Sequence, residues 1–228
     1  MMLSIIVPVY NEQQFISHAI EEISSTRFPL EYEIIIVNDG STDNTRKVLL
    51  TFNHRPHIRI IHCKKNLGKG NAVRKGLAIA RGEIILIHDA DLEYSPKDIP
   101  ALLKPILRGT ADVVFGSRFL QGKTRMSFTY RFGNWFLTHA FNVLFKTTFS
   151  DVLTCYKLFR KSAIDVSSLK ECGFEIDPEI AAKLSIKKNR VIELSIHYRS
   201  RDRNEGKKNS IGVGIRSFIV MIKLRLSR

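Results

Sequence analysis

Short runs rich in isoleucine and valine alternate with stretches of helical spacing through the first 117 residues, and this alternation constrains the fold most strongly. Five runs are almost continuously apolar, as in strands buried on both faces: LSIIVPV, EIIIVN, IRIIH, EIILIHD and DVVFG. Between them, apolar residues recur at helical spacing over 13–25, 44–52, 70–80 and 96–107. The alternation predicts an α/β fold with a mostly parallel central sheet flanked by helices.

The second half of the chain has a different character. Eight of the 21 aromatic residues of the whole chain fall within 128–149, and this segment is predicted to be a helix with a broad aromatic face. Core packing and a position at a membrane interface both account for such a face. Beyond it we expect a strand around 156–159, a helix over about 177–187, a strand over 191–198 and a final amphipathic segment over 211–226.

The net charge of +14 implies a polyanionic partner such as phosphorylated substrates, anionic lipid or nucleic acid. Between 197 and 228 there are nine basic residues against Asp202 and Glu205, although a basic tail that is merely solvated is the alternative. No apolar stretch reaches the roughly 18 to 20 residues of a membrane span, and no signal peptide is visible. We therefore expect a soluble or peripheral protein.

The sequence lacks the motifs that are typical of several kinds of binding site. The three cysteines form no CxxC pair, so neither a zinc site nor a disulfide framework is suggested, and a reducing compartment fits. Gly68-Lys69-Gly70 lacks a third glycine at Val73 and reads as a turn before a helix, and no GxxxxGK[ST] occurs. A nucleic-acid-binding module remains a distant alternative, because no zinc finger, RNA-recognition signature or helix-turn-helix context is visible.

The strongest chemical signal is an acidic motif after the fourth apolar run. Ligands of such sheets bind at the carboxyl ends of the strands, where Asp89 and Asp91 follow 83–88. Two carboxylates placed there can face Mg²⁺, which takes one or two protein carboxylates and fills its other positions with water and phosphate oxygens. Glu93 continues the alternation as a candidate third ligand, and a surface acidic turn is the alternative.

Five segments in this order resemble the inverting family-2 glycosyltransferases: IIVPVYNE, VNDGSTDNT, DADLEYSP, GSRF and DVLTCYKLFR. The branch that they resemble includes dolichol-phosphate mannose synthases and bacterial polyprenyl-phosphate sugar synthases. The resemblance covers nearly the whole chain. It implies a GT-A-type fold and a nucleoside-diphosphate sugar as donor.

The resemblance also implies roles for individual residues. The nucleotide-sugar site would comprise Pro8, Tyr10, Glu12, Val37, Asp39, Asp89, Ala90, Asp91, Arg118, Arg203 and Lys208. Mg²⁺ or Mn²⁺ would be held by Asp89, Asp91 and Glu93. Arg118 and Arg131 would face the acceptor phosphate. The catalytic group would be Asp91, Arg118, Asp151 and Arg203.

Some of these assignments leave alternatives open. Asp151 heads the segment that resembles D-x-x-[ST]-x-[FY]-[RK] and could act as a general base or cap a helix; Glu175 and Asp177 are further candidate bases. Residues 203–206 resemble an R-x-x-G loop that closes on the diphosphate. Mannose synthases have a lysine where this chain has Asn209, and commonly a glutamine where it has Glu93.

The expected function is transfer of a hexose, with inversion, from a nucleoside-diphosphate sugar to a polyprenyl or dolichyl phosphate. GDP-mannose is the favoured donor and UDP-glucose is possible. We expect a catalytic domain over 1–210, with a nucleotide-binding half (1–117) and an acceptor-binding half (118–210), and a membrane-associating tail over 211–228. The protein would lie at the cytoplasmic face of an anionic membrane, with a separate membrane subunit as a possible partner. A soluble transferase with a polysaccharide or glycolipid hydroxyl acceptor is the alternative.

Overall fold

The structure is a computed structural model that describes residues 1–120, 126–187, 189–201 and 211–227. Within these ranges the chain forms one seven-stranded sheet in the order β3-β2-β1-β4-β6-β5-β7. The strands are β1 Met2–Val9, β2 Glu31–Asn38, β3 Ile58–His62, β4 Ile84–Ile87, β5 Val113–Ser117, β6 Lys157–Arg160 and β7 Val191–Ser195. The helices are α1 Ile16–Ser25, α2 Thr45–Leu50, α3 Lys69–Ile79, α4 Ile99–Leu107, α5 Phe128–Phe145, α6 Ile176–Ile186 and α7 Ile211–Leu226.

The centre of the sheet is built from the apolar runs. β1 pairs in parallel with β2 and β4, so that Ile5 lies between Ile34 and Leu86. All three side chains are fully buried, which is why these strands are apolar at consecutive positions rather than at alternate ones. The predicted α/β fold with a mostly parallel sheet is confirmed.

One strand runs against the others and matters for the site. β6 is antiparallel to both β4 and β5, whereas β5 pairs in parallel with β7. The amino end of β6 therefore lies at the same edge of the sheet as the carboxyl end of β4. Thr154 and Cys155, which precede β6, are thereby brought next to the segment that follows β4.

Several predicted element boundaries need correction. The aromatic helix ends at Phe145 rather than at 149, because Lys146 adopts a left-handed conformation with φ 56°. β7 ends at Ser195 rather than at 198, because Tyr198 leaves the strand to form an isolated bridge with Tyr94. α4 is preceded by a short 3₁₀ turn, Pro96–Asp98.

α5 has one buried side and one exposed side, so core packing accounts for only some of its aromatic residues. Leu137, Phe141 and Phe145 are buried, whereas the opposite side is exposed. α7 packs against α5 and α6, and Phe218 of α7 contacts Phe136 of α5. We call the exposed apolar side of these two helices the aromatic face; it comprises Phe128, Phe132, Trp135, Phe136, Ile215 and Ile219. Within the described ranges, no helix combines the length and apolarity that crossing a bilayer requires.

Candidate active site

A cavity of about 350 Å³ opens at the carboxyl ends of the central strands. Residues after β1, β2 and β4 line it, together with the start of α3, the segment before β6 and the start of α6. The expected site residues that line this cavity are Pro8, Tyr10, Glu12, Asp39, Asp89, Ala90, Asp91, Glu93 and Arg118. The rule that ligands bind at this edge of a parallel sheet therefore predicts the position of the cavity.

Other expected site residues lie elsewhere. Val37 is fully buried in β2 behind Pro8, its neighbour in β1, and does not line the cavity. Asp151 lies behind Arg118 with no exposed surface. Arg131 is exposed near the start of α5 and is not among the residues that line the cavity. Arg203 and Lys208 lie outside the described residues.

The ends of β1 and β2 are held together by paired side-chain and backbone contacts. Asn11 has a left-handed φ of 51°, and its side-chain oxygen accepts a hydrogen bond of 2.8 Å from the backbone N–H of Thr42. The Asn11 N–H in turn donates to Ser41 Oγ at 3.0 Å. Asparagine tolerates the left-handed region better than most residues, which explains its place in this corner.

Asp39 is anchored by the turn before α3. Its Oδ2 accepts hydrogen bonds from the N–H groups of Leu67 and Gly68, at 3.1 and 2.7 Å. Gly68 has φ 97°, and a Cβ at this position would lie 2.5 Å from the Cys172 carbonyl oxygen. The turn expected at Gly68 is therefore present, and it also fixes a carboxylate at one end of the cavity. We call Pro8, Tyr10, Asp39 and Gly68 the donor end, because the resemblance implies that the nucleotide-sugar donor binds at Pro8, Tyr10 and Asp39.

Lys69 and Asp177 also line the cavity. The sequence patterns placed Lys69 only in a turn before a helix, and they offered Asp177 only as an alternative general base. The Lys69 ammonium lies 2.9 and 3.0 Å from the two oxygens of Asp89 and 3.0 Å from Asp177 Oδ2. Burial disfavours its charge, but the two carboxylates raise the pKa of Lys69 well above its ordinary value. The same contact holds the pKa of Asp89 below its ordinary value despite burial. Asp89 is thus an ionised group that is already paired with an internal cation.

Asp91 lies beside a second internal cation, Arg201, which the sequence patterns treated only as part of the basic tail. Arg201 reaches Asp91 at 3.3 Å and Glu12 at 3.1 Å, and its guanidinium lies 5.3 Å from the Phe15 ring centroid. Burial and the charges of Asp89 and Glu93 nevertheless raise the pKa of Asp91 to about 7. Among the residues that the structure describes, more carboxylates than cations therefore surround Asp91.

Glu93 is directed at the segment after β7. Its two carboxylate oxygens accept hydrogen bonds from the Tyr198 hydroxyl, at 2.7 Å, and from the Arg201 N–H, at 2.8 Å. Among the residues that the structure describes, no three acidic, histidine or cysteine side chains converge on one metal position. The excess negative charge at Asp91 still suits a divalent cation that takes one or two carboxylates from the protein and further oxygens from a phosphate ligand.

Arg118 and Asp151 form a buried ion pair. Asp151 accepts hydrogen bonds from the backbone N–H, Nε and Nη2 of Arg118, at 3.0, 2.7 and 2.7 Å. Although burial opposes its charge, Asp151 raises the pKa of Arg118 well above its ordinary value. Asp151 therefore orients Arg118 towards the cavity, rather than capping a helix as one expectation had it.

Residues 4–167 match the family model described as "Glycosyl transferase family 2". Among curated proteins, the chain is similar to a dolichol-phosphate mannosyltransferase of Pyrococcus furiosus, with 27% identity over 91% of this chain. It is also similar to a dodecaprenyl-phosphate galacturonate synthase of Rhizobium johnstonii, with 26% identity over 90% of this chain. The chain spans 59% and 61% of the lengths of these two relatives.

Solved structures share the fold at low sequence identity. One is the glucosyl-3-phosphoglycerate synthase from Mycobacterium tuberculosis in complex with Mn²⁺, UDP and phosphoglyceric acid. It has a TM-score of 0.70 and 20% identity, covering 98% of this chain and 78% of that chain. Residues 1–349 of S. aureus TarS have a TM-score of 0.65 and 20% identity, covering 97% of this chain and 65% of that chain. The expected GT-A-type fold is confirmed.

Proposed function

Because the chain belongs to glycosyltransferase family 2, we propose that it transfers a hexose from a nucleoside-diphosphate sugar to a polyprenyl or dolichyl phosphate. GDP-mannose is the favoured donor, and UDP-glucose is the second to test. The observation that carries this proposal is that the donor end lines the same cavity as the carboxylates Asp89 and Asp91. The two curated relatives whose names specify lipid-phosphate products support the choice of acceptor.

The donor would extend along this wall. Its base and ribose would lie against Pro8, Tyr10 and Asp39, and its diphosphate near Asp89 and Asp91. Mg²⁺ or Mn²⁺, held by Asp91 with Asp89 or Glu93, would neutralise charge on the departing nucleoside diphosphate. Arg203 and Lys208 remain proposed further contacts to the diphosphate.

A phosphate acceptor fits the state of Asp151. A hydroxyl acceptor needs a general base, but Asp151, the first of the three candidate bases, is occupied by three hydrogen bonds from Arg118. A phosphomonoester has a second pKa near ~6 and is mostly dianionic at neutral pH, so it can attack the anomeric carbon without a base. Arg118, oriented by Asp151, would offset repulsion between this dianion and the donor. Arg131 remains a proposed second contact to the acceptor phosphate. In-line attack would invert the anomeric centre.

The aromatic face suits an acceptor that arrives from a bilayer. Phe128 is 81% exposed and Trp135 is 59% exposed, which is a large cost for aromatic side chains in water. α7 adds Arg216, Lys223 and Arg225 and contains no acidic residue. Apolar insertion and basic charge together bind an anionic surface more strongly than either alone. We therefore place the protein peripherally at the cytoplasmic face of a membrane, with a separate membrane subunit as a proposed partner.

The experiment that tests this function is a transfer assay. The protein would be incubated with GDP-mannose or UDP-glucose, Mn²⁺ and a polyprenyl phosphate, and sugar passing into the organic phase would be measured. We expect transfer by the wild-type protein, and its loss by more than about a hundredfold in Asp91→Ala or on chelation, since the leaving charge then lacks its counter-ion.

A matched control is Glu171→Ala, which removes a part-buried carboxylate outside the cavity. This variant should retain transfer. Full activity of Asp91→Ala after chelation would contradict the metal assignment, and absence of transfer from every donor to every lipid phosphate would contradict the proposed function.

A further inference from the structure

In the part of the chain that the structure describes, one buried carboxylate oxygen at the wall of the cavity has no hydrogen-bond donor. Asp177 is 6% exposed and lines the cavity at the start of α6. Its Oδ2 is bound by Lys69, whereas Oδ1 accepts no hydrogen bond from any residue in the described part of the chain. The Lys157 ammonium lies 3.7 Å from Oδ1, beyond hydrogen-bond distance. Because a buried acceptor without a donor is costly, this oxygen points to a donor supplied by a ligand.

The order of the strands indicates which part of a ligand reaches Asp177. β2, β1, β4 and β6 are consecutive neighbours in the sheet. Asp39 follows β2, Asp89 follows β4, and Cys155 precedes β6, so the cavity runs past them in that order. Asp177 is joined to Asp89 through Lys69. A donor with its nucleoside at the donor end and its diphosphate at Asp89 would therefore place its sugar next to Asp177.

The charges along the cavity limit which sugar suits this position. Each lysine or arginine among the described residues that line the cavity is already ion-paired: Lys69 with Asp89 and Asp177, Arg118 with Asp151, and Arg201 with Glu12 and Asp91. Beside Asp177, a sugar carboxylate would find no unpaired cation among these described residues, and like charges in a buried site repel strongly. A sugar hydroxyl, in contrast, supplies the hydrogen that Oδ1 lacks.

We propose that Asp177, held in place by Lys69, accepts a hydrogen bond from a hydroxyl of the donor sugar and thereby selects an uncharged hexose over a uronic acid. This inference rests on the proposed function and adds a specificity-determining residue to it. Asp177 acts through binding of the donor, so its effect belongs in donor affinity rather than in the chemical step alone.

The first test uses the wild-type protein and calorimetric titration with Mn²⁺ present. The ligands are UDP, UDP-glucose, UDP-glucuronate and the 2-, 3-, 4- and 6-deoxy analogues of UDP-glucose, with the GDP and GDP-mannose series in parallel. We expect the hexose to bind at least about tenfold more tightly than the uronate, and one deoxy analogue to bind about tenfold more weakly than its parent.

The second test introduces Asp177→Asn, which keeps the shape but presents an amide to the sugar. Its affinity for UDP or GDP should remain within about twofold, while its affinity for the sugar nucleotide falls about tenfold and the deoxy effect disappears. Glu179→Gln is the matched control on the same helix, because Glu179 binds Lys183 and the backbone of 170–171 outside the cavity. It should leave all these ratios unchanged.

The possible outcomes separate the two proposals. If the wild-type protein binds neither nucleoside diphosphates nor sugar nucleotides, the proposed function fails and this inference with it. If it binds hexose, uronate and every deoxy analogue equally, only this inference is overturned. The inference is also overturned if Asp177→Asn binds all donors normally but loses transfer, since Asp177 would then act in the chemical step. Should Asp177→Asn fail to fold, the wild-type series still decides.

Discussion

The donor end of the cavity and the aromatic face differ in how far their side chains are exposed to water. At the donor end, Asp39 is 2% exposed and is fixed by two backbone N–H groups. On the aromatic face, large apolar side chains project into water, and Phe128 is 81% exposed. A fixed polar cavity suits recognition of one ligand geometry, whereas exposed aromatic side chains suit a soft surface that needs no fixed partner atoms. The difference predicts that substitutions in the two regions change separate measurements.

The largest effect is expected at Arg118, which lines the cavity and pairs with the buried Asp151. Arg118→Ala would leave Asp151 buried without its cation, so the free energy of unfolding should fall by about 3–5 kcal/mol. Transfer should fall by more than about a hundredfold, because the acceptor phosphate loses its positive partner. Urea denaturation and the transfer assay measure the two effects.

A double variant separates stability from function at this pair. Arg118→Met with Asp151→Leu removes both charges, so most of the lost unfolding free energy should return while transfer stays low. If the double variant regained transfer, Arg118 would be only a structural residue, and the cavity would need another partner for the acceptor.

The next effect concerns the turn that anchors Asp39. Gly68→Ala would force a side chain into φ 97° and to within 2.5 Å of the Cys172 carbonyl. We expect a loss of about 1–3 kcal/mol in unfolding free energy and a clear weakening of nucleoside diphosphate binding, since Gly68 donates to Asp39. Thermal unfolding and calorimetry provide the readouts.

Gly109→Ala is the matched control for this substitution. Gly109 also has a positive φ, of 70°, but an added Cβ there would meet nothing within 4 Å. It should cost only the conformational strain of about 1 kcal/mol and leave nucleotide affinity unchanged. Equal nucleotide affinities in the two variants would show that the turn does not shape the donor end.

A smaller effect is expected for the aromatic face. Trp135→Ser should weaken binding to anionic vesicles about tenfold in a flotation assay, because an exposed ring that could insert is lost. Binding of nucleoside diphosphate should not change. Leu50→Ser is the control, since Leu50 is 48% exposed on α2, which packs against α1. Vesicle binding equal to wild type in Trp135→Ser would argue against this face as the membrane contact.

The sequence predicted local features of the fold and the site better than contacts between distant residues. The central strands could be located because buried parallel strands are apolar at consecutive positions. The acidic motif with Asp89 and Asp91 could be placed because it follows one of these strands. The antiparallel direction of β6 leaves no local pattern. Contacts between distant residues were also hidden: Lys69 meets Asp177, 108 positions away, and Arg201 meets Asp91, 110 positions away. Within their own segments Lys69 and Arg201 indicated only a turn and a basic tail.

The smallest effect is expected at the end of α5, where the aromatic face stops. Lys146 has φ 56° and ψ 49°, a conformation that costs a residue with a Cβ about 1 kcal/mol and costs glycine little. Lys146→Gly should therefore raise the free energy of unfolding by up to about 1 kcal/mol, measured by urea denaturation. Lys146→Ala keeps the Cβ and should give no such gain. Because Asn142 still closes this corner through its contacts with Phe149, neither vesicle binding nor nucleotide binding should improve. A gain in vesicle binding without a gain in stability would instead mean that the helix end, rather than the exposed rings, controls the membrane contact.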